Sequence, residues 1–138
     1  MINQLIEEYN HGGNGYNPFL IRNNWQVAQL NYETGQGFDA IEKIDIHYNT
    51  DEVFILLEGH VVLIAAEKDG DQLSFHTVKM EKGITYNIPK NTWHNIAMSH
   101  NAKVIIVEDA NTHLGDFEFY YMNPMQKKEL FQKIKIIV

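Results

Sequence analysis

Asp45, His47 and Glu52 lie close together in the stretch AIEKIDIHYNTDEVFILLEG, and the chemistry they offer is that of carboxylates and an imidazole brought to one point. Side chains alternate faces along a strand, so Asp45 and His47 point the same way, one pleat apart. The turn around Asn49, Thr50 and Asp51 then returns the chain with Glu52 at the head of EVFILLE. Glu52 shares its face with Phe54 and Leu56, while Val53, Ile55 and Leu57 take the other, so both faces of this strand are covered. A carboxylate there is costly to bury alone and needs a cation, hydrogen bonds or a proton. A second segment, GITYNIPKNTWHNIAM, supplies a partner: Pro89 closes one strand, a turn follows, and His94 shares a face of the next strand with Thr92, Ile96 and Met98. If that face is interior, His94 meets His47 and Glu52.

The elements that must position these groups are short strands. From Asn24 to Asp109 the chain runs in segments rich in Val, Ile, Phe, Tyr and Thr, separated by turn signals such as ETGQG, NTD, EKDGD, EKG and SHNA. Strands are expected near WQVAQLNY, AIEKIDIH, EVFILLE, HVVLIAAE, QLSFHTVKM, ITYNI, WHNIAM and KVIIVED, with FEFYYM as a further candidate. Such spacing implies a closed or sandwiched antiparallel barrel rather than βαβ units. INQLIEEY places apolar residues at helical spacing and predicts a helix over 1–10; the Gly-rich NHGGNG that follows reads as a turn. In NPMQKKELFQKI, Asn123 caps and Pro124 opens a second helix, over 123–135. The whole of 1–138 reads as one domain, with its barrel core at about 24–122.

Composition narrows the function classes. The net charge is −7, Arg22 is the only arginine, and the basic residues are scattered, which argues against nucleic acid as a partner. There is no cysteine, so thiol chemistry and Cys-ligated zinc are excluded. The acidic amino terminus and the lack of a long apolar run argue against membrane association and set a cytoplasmic location as the expectation.

At the level of motifs the chain resembles the cupin superfamily of small β-barrels. The first cupin motif, His-x-His followed by Glu and Gly, is met by Asp45-Ile46-His47, YNTD, Glu52, VFILLE and Gly59. The second is met by Gly83, ITYNI, Pro89, Lys90, Asn91, TW, His94, NIA and Met98. The resemblance spans roughly Gln26 to Asp109, and two motifs together are more specific than either alone. It implies an all-β, cupin-type antiparallel β-barrel (a double-stranded, jelly-roll-like β-helix) with short terminal helices. The family's metal ligands fall on Asp45, His47, Glu52 and His94. The departures are Asp45 for the first histidine, Asn91 for a glycine and Met98 for the final asparagine.

A set of two imidazoles and carboxylates suits Fe(II), with Mn(II), Zn(II) or Ni(II) as alternatives. Asp45 is shorter than histidine, so it serves either as a ligand or as a nearby acceptor or base, and Asp45 and Glu52 are the candidate catalytic groups. Lys43, Tyr86, Glu108 and His113 are the candidate substrate contacts, with Arg22 as the alternative anion contact. Two functions fit: a metal-dependent enzyme on a small polar metabolite, as the family's dioxygenases and isomerases suggest, or a ligand-binding barrel whose site has lost its ion. The resemblance also implies a homodimer, for which Val53, Ile55, Leu57 and Trp93 offer an outward apolar set.

Overall fold

The computed structural model describes residues 5–138. Ten strands form two five-stranded sheets: β1 Gly15–Ile21, β2 Gln26–Asn31, β3 Lys43–Ile46, β4 Glu52–Glu58, β5 Val61–Asp69, β6 Gln72–Lys79, β7 Thr85–Ile88, β8 Trp93–Met98, β9 Lys103–Glu108 and β10 Glu118–Tyr121. The first sheet has the order β1-β2-β9-β4-β7 and the second β10-β3-β8-β5-β6, and every pairing is antiparallel. The expected barrel is therefore two facing sheets; among the described residues no hydrogen-bonded ladder closes one onto the other.

Period-two alternation explains both layers of the core. Ala28 and Leu30 of β2, Phe54 and Leu56 of β4, and Val104 and Ile106 of β9 point inward and meet Val61, Leu63, Ile96 and Met98 of the second sheet. The intervening residues of β5, Val62, Ile64 and Ala66, point the other way, into a second cluster with Ile44, Phe75, Ala97, Leu130 and Ile134. The last two belong to helix α2, Pro124–Ile137, which covers the outer face of the second sheet. Its start is a reciprocal cap: Asn123 Oδ1 accepts from the Gln126 N–H at 2.8 Å, and Gln126 Oε1 accepts from the Asn123 N–H at 2.9 Å.

Three expectations need correction. The helix expected over 1–10 falls partly outside the described residues, and Leu5–Asn10 is not helical; Leu5 is 99% and Ile6 80% exposed, so no packing supports so short a helix. The other helix is instead α1, Thr112–Gly115. The strand core begins at Gly15 rather than near residue 24, because β1 carries Pro18 at a register shift between Asn17 and Leu20, a place where an edge strand tolerates proline but loses its alternation. Finally, the outward apolar set is divided. Val53, Ile55 and Leu57 belong to the outer face of the first sheet, whereas Trp93 packs beside Tyr120 on the outer face of the second, with ring centroids 6.4 Å apart.

The β4–β5 turn depends on Gly59, whose φ is +79° and where a Cβ would lie 2.7 Å from Ala102 Cα. Gly59→Ala is expected to destabilise the fold by at least roughly 1–2 kcal/mol, the cost of a left-handed non-glycine residue before any clash is counted. Urea unfolding checks this, and an unchanged midpoint would contradict it.

Candidate metal centre

The polar residues meet where the two sheets face each other. On the second sheet Asp45 of β3 is paired directly with His94 of β8. On the first, Gln26 of β2, Glu108 of β9 and Glu52 of β4 stand side by side in register. His47 follows β3 and completes the group from the β3–β4 connection. Asn91, in the turn before His94, has φ of 67° and donates its N–H to the His47 carbonyl at 2.7 Å. Asparagine is among the few residues besides glycine that adopt this conformation readily, so its departure from the motif keeps the turn. Met98, the other departure, is core.

Both histidines have one ring nitrogen committed. His47 donates Nδ1–H to the Asp116 carbonyl at 2.6 Å, and His94 donates Nδ1–H to the Thr92 carbonyl at 2.9 Å. Their Nε2 atoms then lie 2.9 Å and 2.8 Å from the same oxygen, Glu52 Oε1. Unprotonated Nε2 lone pairs facing a carboxylate would repel it, so positive charge belongs between them, as two imidazolium protons or as a cation. Asp45 Oδ2 and Oδ1 are each 3.7 Å from the Nε2 of His47 and His94. Donor atoms around an ion with bonds of about 2.1 Å stand roughly 3.0–3.5 Å apart, so these separations suit a single small divalent ion after slight adjustment. Asp45, His47 and His94 offer ligand atoms within 4.8 Å of one another, and so do His47, Glu52 and Glu108. The donor set therefore fits the metal that the motifs imply.

The electrostatics follow. Burial raises the pKa of Glu52, but the hydrogen bonds from His47 and His94 outweigh it and hold the carboxyl well below its ordinary range. Burial is the largest influence on His47 and lowers it, but the hydrogen bond and charge of Glu52, the Asp116 carbonyl and the Asp45 carboxylate together outweigh it and push it up to about 9; His94 is raised against its burial by Glu52 and Asp45. Asp45 is raised by burial, against the pull of the two histidines. Glu108 is pushed up to about 7 by burial and by the charge of Glu52. Tyr16 donates its hydroxyl to Glu108 and is raised by burial and by that carboxylate.

A cavity of about 360 Å³ opens onto this group. Lys43, Glu108 and His113 line it, as do Tyr16 and Phe119. Lys43 Nζ lies 4.3 Å above the Phe119 ring and 5.6 Å from that of Tyr121. Tyr86 does not line it: its hydroxyl accepts from the Glu81 N–H and its ring packs against the core. Arg22 pairs with Glu7 at 2.6 Å on the surface. Sequence reasoning missed Tyr16, whose strand gave no alternating signal, and Gln26, for which inward parity with Ala28 and Leu30 was the available clue. It also missed Asp116, whose carboxylate accepts from the Tyr48 and Asn49 N–H groups and so holds the carbonyl that meets His47.

Comparison with solved structures places this architecture. Streptomyces Pac13, a nucleoside dehydratase also solved with uridine, superposes with a TM-score of 0.54 at 10% identity, covering 80% of this chain and 78% of its own. KdgF from a Halomonas species gives 0.53 at 12% identity over 76% and 89% of the two chains. The chain has the cupin fold. A cupin-2 domain protein from Shewanella frigidimarina is 24% identical over 74% of this chain and 84% of its own, with a TM-score of 0.47. No protein-family model and no curated sequence matches the chain. No helix among the described residues of this chain is long and apolar enough to cross a membrane.

The raised histidines fix the sign of a pH effect in the metal-free protein. The His47 contribution is fully present below its unfolded value of 6.5 and is lost as pH rises through about 9. Glu108, raised from 4.5 to about 7, acts with the same sign at lower pH. The unfolding midpoint of chelator-treated protein is therefore expected to fall steadily between pH 6.5 and 9. A flat or rising profile by differential scanning calorimetry would contradict this assignment.

Proposed function

We propose that this cupin holds one divalent transition metal ion on His47, Glu52 and His94, with Asp45 beside them, and acts as a metal-dependent enzyme on a small polar metabolite bound between the sheets. One observation carries the reading: two imidazoles, each with Nδ1 already donating to a backbone carbonyl, direct Nε2 at a single buried carboxylate oxygen. That is how metal-binding histidines are oriented by their supporting hydrogen bonds. Fe(II), Mn(II), Zn(II) and Ni(II) are the ions that such a donor set accepts. When bound, the ion supplies Lewis acidity toward a carbonyl or a water.

The remaining roles belong to the chain. Asp45 is more exposed than Glu52, and burial raises its pKa, which suits a general base at the edge of the cavity. Glu52 would serve as a ligand rather than as an acid: in the metal-free protein its two protonated histidines hold it ionised, and with their Nε2 lone pairs on the ion the ion's charge would do the same. The cavity volume suits a small ligand. That one solved neighbour is a nucleoside dehydratase supports looking for a substrate of this size class.

A second reading has its own support. With both histidines doubly protonated, Glu52 is satisfied without any metal, and the raised histidine pKa values are those of such an ion-paired state. The protein would then be a ligand-binding barrel without turnover.

Metal analysis separates the two. Protein purified without chelator, or reconstituted with each ion, is expected to hold about one ion per chain. His94→Ala should lower affinity by more than the roughly 10- to 100-fold typical of losing a supporting hydrogen bond. Asp45→His, which restores the motif's first histidine, should bind at least as tightly as the parent. At 100 times its dissociation constant the ion should stabilise the fold by about 2.7 kcal/mol. Failure of every ion to bind would overturn the metalloenzyme reading and leave the metal-free one.

A further inference from the structure

Beside the metal centre lies a second polar network built on Gln26, which has no exposed surface. Its carboxamide oxygen accepts from the Asn111 N–H at 2.8 Å. A backbone amide can only donate, so this bond fixes the orientation of the carboxamide: the opposite orientation would set NH₂ against N–H. The Gln26 nitrogen is therefore the donor to its neighbours, Tyr16 Oη at 3.0 Å, His113 Nδ1 at 3.2 Å and Glu108 Oε2 at 3.3 Å. Tyr16 and Glu108 are bonded to each other and share one amide hydrogen, which leaves the other for His113.

A ring nitrogen that accepts a hydrogen bond carries a lone pair, so His113 Nδ1 is unprotonated and the neutral ring bears its proton on Nε2. His113 Nε2 has no hydrogen-bond partner among the described residues, and His113 lines the cavity. The segment that carries it is tied down on both sides. The Asp109 N–H donates to Thr50 Oγ1 at 2.9 Å, the Asn111 N–H donates to Gln26, and Asp116 clasps the N–H groups of Tyr48 and Asn49.

We infer that Gln26 is a positioning residue that fixes His113 as a neutral Nε2–H donor, and that this donor receives a carbonyl oxygen of the ligand. The inference rests on the reading that the cavity holds a small ligand, and it adds a chemical class to that ligand. An uncharged carbonyl is the acceptor that fits: Asp45, Glu52 and Glu108 line the same cavity, its one lysine, Lys43, sits over the Phe119 ring, and a further carboxylate near Glu108 would meet repulsion. A neutral imidazole donor polarises such an oxygen without adding a charge to be desolvated.

The test is long-range ¹H–¹⁵N correlation of the histidine rings in metal-free, chelator-treated protein at neutral pH, with His113→Gln used to assign the signals. The expected pattern for His113 is that of a single neutral ring protonated at Nε2. An Nδ1-protonated or tautomer-averaged pattern overturns the inference, with no variant required. Gln26→Glu replaces the amide donor by an acceptor and is expected to move the proton of His113 to Nδ1; retention of the Nε2–H form would remove Gln26 from the role. Acetamide, an uncharged carbonyl probe, is expected to shift the His113 Nε2 signal ahead of those of His11, His60, His76 and His100. No selective shift would overturn the donor assignment. All three results are read without metal, so they stand or fall apart from the metal centre.

Discussion

The architecture turns on one carboxylate. Glu52 is buried between two imidazoles that have no freedom to turn away, because a backbone carbonyl holds the far nitrogen of each ring. Every element around it satisfies that arrangement. The direct pairing of β3 with β8 sets Asp45 opposite His94. The left-handed Asn91 ties the turn before His94 to His47, and Asp116 closes the far side. Positive charge at the centre is the condition under which the fold is electrostatically consistent, whether it arrives as protons or as an ion.

How far the sequence disclosed this depended on whether the signal was local. Glu52 opening a strand apolar on both faces marked a site, since such a residue has few ways to be satisfied, and the spacing of His47 and His94 named its partners. The strands from β2 to β9 were legible because alternation and turn residues agree with one another. β1 was not, because Pro18 breaks its pattern at a bulge. Apolar spacing in INQLIEEY promised a helix, but helical stability comes from a packed face, and Leu5 and Ile6 have none. The roles of Gln26, Tyr16 and Asp116 arise from contacts across the fold, of which a single sequence carries no record. Tyr86 stood as a candidate substrate contact for the same reason: only register shows that its ring faces core while its hydroxyl meets the Glu81 N–H.

The double-sided strands have a structural purpose. β5 is buried on both faces because α2 occupies the outside of the second sheet, through Leu130 and Ile134. That face needs no further cover, so the polar inner end of the same sheet can remain open as a cavity. Leu30, Phe54 and Ile106 line the inner end of the cavity and also belong to the core, so the polar groups above them stand on a packed base. Pre-organisation of this kind is what a site with fixed histidine tautomers requires.

Charge accounting then limits what can enter. Glu33, Asp45, Glu52 and Glu108 line one small cavity against the single ammonium of Lys43, and the two cluster histidines add positive charge only when protonated or when an ion takes the place of their protons. Glu108, pushed up to about 7, is near half-protonation at neutral pH, and its contacts with Tyr16 and Gln26 give it partners in either state. With a divalent ion bound and Glu52 ionised, the protonation of Asp45 and that of Glu108 would together set the net charge of the centre. A centre without net charge would favour an uncharged ligand, and a cationic one would favour an anion. Burial raises the pKa of Asp45 in the metal-free protein, so the residue that departs most from the motif is also one of the groups that set the charge of the site.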